Sequence, residues 1–272
     1  MMASKLTRGF IYLAAAITFG SLFYVVGFIL IKGIPYLNLD MFAWKYTTDN
    51  VSLMPSLITT LIVVGMTLVI ATPIGVFTGF YLVEYAKKGN KVVGIVRIAT
   101  DTLAAVPSIV YGLFGMLFFV TFLNFQYSVL AGVLTSVIMV LPLIIRSTEE
   151  ALLAVNDSLR EASFALGAGK LRTIFRVILP VSMPGILSGV ILASGRVVGE
   201  TAALLYTLGS STNLPDSLFS SGRTLALHMY VLSSEGMHVN ESYATGVILI
   251  VVVLMINGLS TFLSNRLTKG TK

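Results

Sequence analysis

Cysteine is absent from this 272-residue chain, which excludes disulfides, thiolate nucleophiles and cysteine metal sites. Charge is scarce as well: 11% of residues are Asp, Glu, Lys or Arg, against about a quarter in soluble domains, whose surfaces must be hydrated. Histidine occurs only at His228 and His238, in a polar stretch where imidazoles are expected as hydrated loop residues rather than metal ligands. The apolar stretches hold no carboxylate cluster, and no GxxxxGK[ST] loop for cradling phosphates occurs anywhere. No enzymatic chemistry and no cofactor are therefore expected of this chain itself.

What is abundant is apolar: 56% of residues are hydrophobic and the mean hydropathy is +0.92. Lipid must be the solvent for most of such a surface. A span needs about 20 apolar residues to cross ~30 Å of hydrocarbon. Six stretches qualify, 10–31, 56–83, 102–123, 128–146, 181–205 and 243–263. The apolar run of the first is too long for a signal peptide and no A-x-A site follows it, so it is read as an uncleaved span. The reading is an all-α integral membrane protein, a single transmembrane domain over residues 1–272.

Six spans put both termini on one side, and the basic residues choose which. One side holds Lys5, Arg8, Lys87, Lys88, Lys91, Arg97, Arg146, Arg160, Lys170, Arg172, Arg176, Arg266, Lys269 and Lys272; the other holds Lys32, Lys45 and Arg223. Fourteen against three places both termini in the cytoplasm. The pI near 9.5 is then a topology signal, and nucleic-acid binding has no support.

Two connections stand out. The outer segment 206–242 contains DSLFSSGRTLALHMYVL (216–232), which has the makings of a short surface helix. It reads either as a lid on its own helix ends or as a docking face for an outer partner. Pro73, Pro107, Pro142 and Pro184 lie inside or at the edges of spans, where proline kinks a helix.

Within the otherwise apolar span 181–205 stand Arg196 and Glu200, in GRVVGET. Ionisable groups there are expensive and face a cavity or a partner. At 100° per residue the two share a helix face with Ser182, Gly185, Gly189 and Ala193, a stripe suited to close helix packing around a polar cavity. Two readings follow. The pair is a structural ion bridge, or Arg196 offers forked donors to an anion in transit, with Glu200 and Thr201 beside it.

The cytoplasmic loop 147–180 is rich in helix formers. Ser158 and Glu161 have capping-box spacing, predicting a helix over 159–166 that starts at Ser158. Gly167 and Gly169 break it, and a second helix runs from Lys170 towards Pro180. Leu159, Ala162, Phe164 and Leu166 leave an apolar face that needs a partner.

Glu161-Ala162-Ser163, then Gly167, then Val177-Ile178-Leu179-Pro180 resembles the EAA loop of ABC importer permeases, with Ser163 for the third Ala and Val177 for Ile. DTLAAVPSIVYGLFG (101–115), PLIIRSTEEAL (142–152) and GRVVGETAALL (195–205) together resemble the PstA-type permeases of phosphate ABC importers. The likeness covers most of 56–205 and continues more loosely to the C-terminus. The paralogous PstC-type permeases share several of these segments, but the compact length and short cytoplasmic N-terminus favour the PstA type.

The resemblance implies a type I ABC importer permease in a bacterial or archaeal cytoplasmic (inner) membrane. Its partners would be a second, PstC-like permease subunit, two copies of a cytoplasmic ATPase that binds the ATP and magnesium, and an extracytoplasmic phosphate-binding protein. Glu161, Ala162, Ser163 and Gly167 would couple to the ATPase; Arg196, Glu200 and Thr201 would line the substrate path. The alternatives are a permease for sulfate, molybdate or tungstate, or an ion-coupled secondary transporter, which would have no need of an apolar-faced cytoplasmic elbow.

Overall fold

The computed structural model describes residues 2–86 and 91–269, and no strand occurs among them. Lys87, Lys88 and Lys272 of the basic set lie outside the described residues. In hydrocarbon an apolar run satisfies its own backbone only as a helix or a closed barrel. Five helical stretches are long and apolar enough to cross a membrane: Thr7–Tyr36, Met54–Tyr85, Val129–Leu153, Lys170–Val198 and Val239–Phe262. They fall on α1 (Met2–Gly33), α2 (Met54–Phe80), α5 (Val129–Leu153), α8 (Leu179–Val198) and α11 (Val239–Lys269).

The expected span 102–123 is not one straight helix. Its first residues belong to α3 (Lys91–Ala104), and α4 (Ser108–Gly115) continues in wider turns to Phe122; the two parts meet at a 103° bend. Pro107 is the cause, because it lacks an N–H and drives the residue before it away from helical dihedrals. Counted as one crossing, the bent pair makes the sixth.

α5 is the central helix, with two thirds of its apolar window buried, and it packs between α2 and α8. Val63, Val133, Val140, Ile144 and Val197 form the core between them. α1 lies outermost, with none of its apolar window buried, and packs chiefly against α11.

The small stripe on α8 is a helix seam, filled by α5 rather than opening on a cavity. A Cβ at Gly185 would meet Ala151 Cβ at 2.6 Å, and one at Gly189 would overlap both Ser147 Oγ and Ser147 Cβ. Turning the serine hydroxyl away leaves the Cβ clash standing. Gly189→Ala therefore overpacks the seam, at the upper end of the ~1–3 kcal/mol typical of such changes. Its level in membranes should fall severalfold on immunoblots. Adding Ser147→Gly, which removes both offending atoms, should restore it.

The expected helix over 216–232 forms later, as α10 (Leu225–Glu235), because the Thr224 hydroxyl accepts the Leu227 N–H and fixes the start there. Gly236, with φ of 73°, closes it in the left-handed conformation that glycine adopts freely. α10 packs against α11 and is tied to α2 by Leu225 N–H to Thr60 Oγ1 at 2.8 Å. His228, expected in a hydrated loop, is thereby wholly buried.

Candidate functional site

The elbow expected over 147–180 forms with a shifted start. α6 (Asp157–Ala165) is capped by Asn156, whose side chain accepts the Ser158 N–H at 3.0 Å, so Ser158 is not the N-cap. Asn is at least as good a cap as Ser and comes first along the chain. Glu161 is thus not needed in a capping box, and its exposed carboxylate makes no hydrogen bond or ion pair among the described residues. Gly167 sits at φ of 79°, where a Cβ would strain the backbone. α7 (Lys170–Thr173) then runs on through the wider turns of Ile174–Ile178 into α8. Leu159, Phe164 and Leu166 are exposed, Leu166 at 89%.

What holds α6 in place was not legible from the sequence. No residue of α6 is buried, so apolar packing does not fix it. Arg160 does, with its side chain 16% exposed. Its Nε and Nη2 donate to Glu84 Oε1 at 3.1 and 2.8 Å, its Nη2 to the Leu152 carbonyl at 2.9 Å, and its Nη1 to the Val155 carbonyl and Asp157 at 2.9 and 3.0 Å. Glu84 stands in the last turn beyond α2, so one guanidinium bolts the elbow to α2 and to the end of α5. Two lesser ties assist: Lys170 Nζ lies 4.7 Å over the Tyr85 ring, and the Ser163 and Thr173 hydroxyls bond at 2.9 Å.

The segments 101–115, 142–152 and 195–205 meet in space. Arg146 pairs with Asp101 and, at 2.8 Å, with Glu150, while Arg97 pairs with Glu149 at 2.6 Å. Together with Thr100 and Leu153 they line a cleft of about 340 Å³. Further along, Gly112 lets α4 approach α9 (Ala202–Thr207) so closely that a Cβ there would lie 2.8 Å from Ala203 Cα.

Arg196 and Glu200 do not share a helix face. α8 ends at Val198, and the backbone leaves helical geometry before α9 begins. The Glu200 carboxylate, largely buried, turns to accept the Ala203 N–H at 2.9 Å and so caps α9. No ion pair joins it to Arg196 among the described residues. Arg196 is half-buried and has no hydrogen-bonding partner there either; the group its charge reaches is the Tyr111 hydroxyl. Thr201, half-buried, lies in the break between the two helices. The sequence signal for that break was Gly199, which stood where the i,i+4 spacing assumed a continuous helix. Among the described residues no group of three His, Asp or Glu side chains is placed to hold a metal ion.

Residues 71–270 match the family described as binding-protein-dependent transport system inner membrane component. The chain is 33% identical to the probable ABC transporter permease protein YqgI of Bacillus subtilis (strain 168), over 98% of this chain and 97% of that one. It is 39% identical to the phosphate transport system permease protein PstA 1 of Mycobacterium tuberculosis (strain ATCC 25618 / H37Rv), over 73% of this chain and 65% of the relative. With PstA of Haemophilus influenzae (strain ATCC 51907 / DSM 11121 / KW20 / Rd) the identity is 35%, over 75% and 72% of the two chains. A solved bacterial alginate ABC transporter, in complex with alginate pentasaccharide-bound periplasmic protein, matches with a TM-score of 0.69 over 98% of both chains. The identity there is 15%, so that likeness speaks for the fold alone.

Proposed function

The chain belongs to the family of binding-protein-dependent transport system inner membrane components, and we propose that it is the PstA-type permease subunit of an ATP-driven importer of inorganic phosphate. What carries the reading is a guanidinium without a partner among the described residues, Arg196, at the break of the fifth span in a chain whose relatives include phosphate transport permeases. A charge left so in a membrane protein is retained for something that passes or binds.

The chain pairs with a second, PstC-like permease around one path in the cytoplasmic membrane, with both its termini in the cytoplasm. Two copies of an ATPase subunit dock below and carry the ATP and magnesium; a phosphate-binding protein delivers cargo from outside. Arg196 takes the ion by its forked donors, with Glu200 and Thr201 alongside. The exposed Glu161 carboxylate and the Leu159–Gly167 apolar face sit in a groove of the ATPase. Closure of the ATPase pair moves the elbow, and the stiff run from Lys170 into α8 transmits that movement.

Uptake of labelled phosphate by cells whose own importer is deleted, supplied with this subunit and its partners, tests the cargo. Unlabelled sulfate and molybdate should leave uptake unchanged; competition by either would overturn the phosphate assignment. The loop is tested separately. Glu161→Lys reverses the docking charge, and Gly167→Pro forbids the left-handed turn. Each should lower uptake about tenfold or more, equivalent to ~1.4 kcal/mol of lost coupling, while ATP hydrolysis continues. Normal transport in both would remove the loop's role.

A further inference from the structure

On the outer side, away from Arg196, a buried cation stands without a counter-ion. Arg223 is 4% exposed and His228 is fully buried. Among the described residues, Arg223 Nε and Nη2 and both ring nitrogens of His228 make no hydrogen bond and touch no solvent. The two side chains share the ring of Tyr46. Arg223 Cζ lies 5.5 Å from its centroid, and the imidazole meets it edge-on at 6.1 Å. The Tyr46 hydroxyl also bears on the guanidinium, as a neutral group; Glu235, the acid whose charge reaches it, forms no ion pair with it.

This arrangement is unbalanced. An aromatic face offsets only a fraction of what a guanidinium loses on leaving water. Water would satisfy donors but leave the charge uncompensated. Nε and Nη2 lie on one edge of the guanidinium, and those parallel donors form the fork that grips two oxygens of one oxyanion. The N-terminus of α10, two residues beyond Arg223, adds positive potential. Val51, a buried β-branched residue at φ of 43°, lies at the same place, in a conformation such residues hold only where the surroundings impose it. Its carbonyl bears on the His228 ring without closing a full hydrogen bond.

We propose that Arg223 and His228, walled by Tyr46, form a second oxyanion site near the outer face, one that takes protonated phosphate before it reaches Arg196. The cargo in this proposal rests on the phosphate reading above. Burial, and then the neighbouring Arg223, hold the His228 imidazole well below its ordinary range, at about 3, so the ring is neutral. A neutral ring has one N–H and one bare nitrogen. With the N–H turned to the Val51 carbonyl, the bare nitrogen needs a donor. Hydrogen phosphate supplies a P–OH; sulfate at neutral pH has none. Sulfate in this site leaves the nitrogen unpaired and binds roughly ten- to a hundredfold more weakly.

The test uses the whole complex of both permeases and the ATPase in nanodiscs, without binding protein or nucleotide, and inorganic phosphate as probe. In the wild-type complex, deuterium exchange in peptides covering 45–53 and 222–230 should slow with phosphate and not with equal sulfate. Arg223→Gln should weaken phosphate binding at least about tenfold and abolish that slowing. His228→Phe should retain some phosphate binding and lose the preference over sulfate. Unchanged exchange in those wild-type peptides, in a complex that still imports phosphate, overturns the outer site and leaves the cargo reading standing. Equal slowing by sulfate also overturns it. Phosphate-dependent slowing in a complex that imports no phosphate supports the site and defeats the cargo reading alone. Because the wild-type measurement decides, the proposal stays testable even if Arg223→Gln fails to assemble.

Discussion

Arg160→Ala should abolish phosphate uptake in a complex that still hydrolyses ATP. α6 buries no residue, so its orientation depends on polar anchors, and Arg160 supplies most of them. Its loss leaves Glu84 unpaired with a side chain 10% exposed, and takes the guanidinium donor from the Leu152 and Val155 carbonyls. Removing one partner of a buried pair costs ~3–5 kcal/mol, because the remaining charge stays desolvated. Detachment of the elbow relieves that penalty, since it lets water reach Glu84. The ATPase would then move a loose elbow while α2 and α5 stay still. Deuterium exchange over 157–166 should rise sharply while the spans remain protected. Glu84→Gln is the milder change, because the amide oxygen still accepts from Arg160 and no buried charge is orphaned; it should retain partial transport. Wild-type uptake in Arg160→Ala would show that the elbow acts through Lys170 and α8 alone.

What could be read from the sequence was what is local. The short helix before Gly167, the glycine break there and the close packing of the Ser182–Ala193 stripe depend on neighbours within a few turns, and all appear in the structure. The cap moved from Ser158 to Asn156 because two good capping residues compete within one turn. Pro107 announced a break in the third stretch but could not give its 103° angle, which packing of α3 and α4 decides. The Arg160–Glu84 bolt joins residues 76 apart and leaves no periodic trace. His228 looked like a loop residue because polarity along a chain says nothing of what folds over it. The i,i+4 relation of Arg196 and Glu200 failed for a different reason. It assumed helix through Gly199, and the chain breaks there to let Glu200 cap α9.

That break sharpens the second expectation, that Arg196→Gln lowers phosphate uptake by roughly ten- to a hundredfold, the ~1.5–3 kcal/mol of a charge-assisted hydrogen bond, with assembly unchanged. Arg160 and Arg196 should behave oppositely in one respect. Removing Arg160 strands a buried carboxylate; removing Arg196 strands nothing, because no carboxylate pairs with it among the described residues. Stability is therefore not what Arg196 supplies, and its variants should reach the membrane, bind the second permease and dock the ATPase at wild-type levels. Arg196→Lys keeps the charge and loses the planar fork, so its uptake should fall between the two. Glu200→Gln retains an oxygen to accept the Ala203 N–H and keeps the α9 cap, so any transport it loses reports the charge alone. Glu200→Ala removes the cap as well, at about 1 kcal/mol, and should weaken assembly where Glu200→Gln does not. Failure of Arg196→Gln to assemble would make the guanidinium a structural group and remove it from the path.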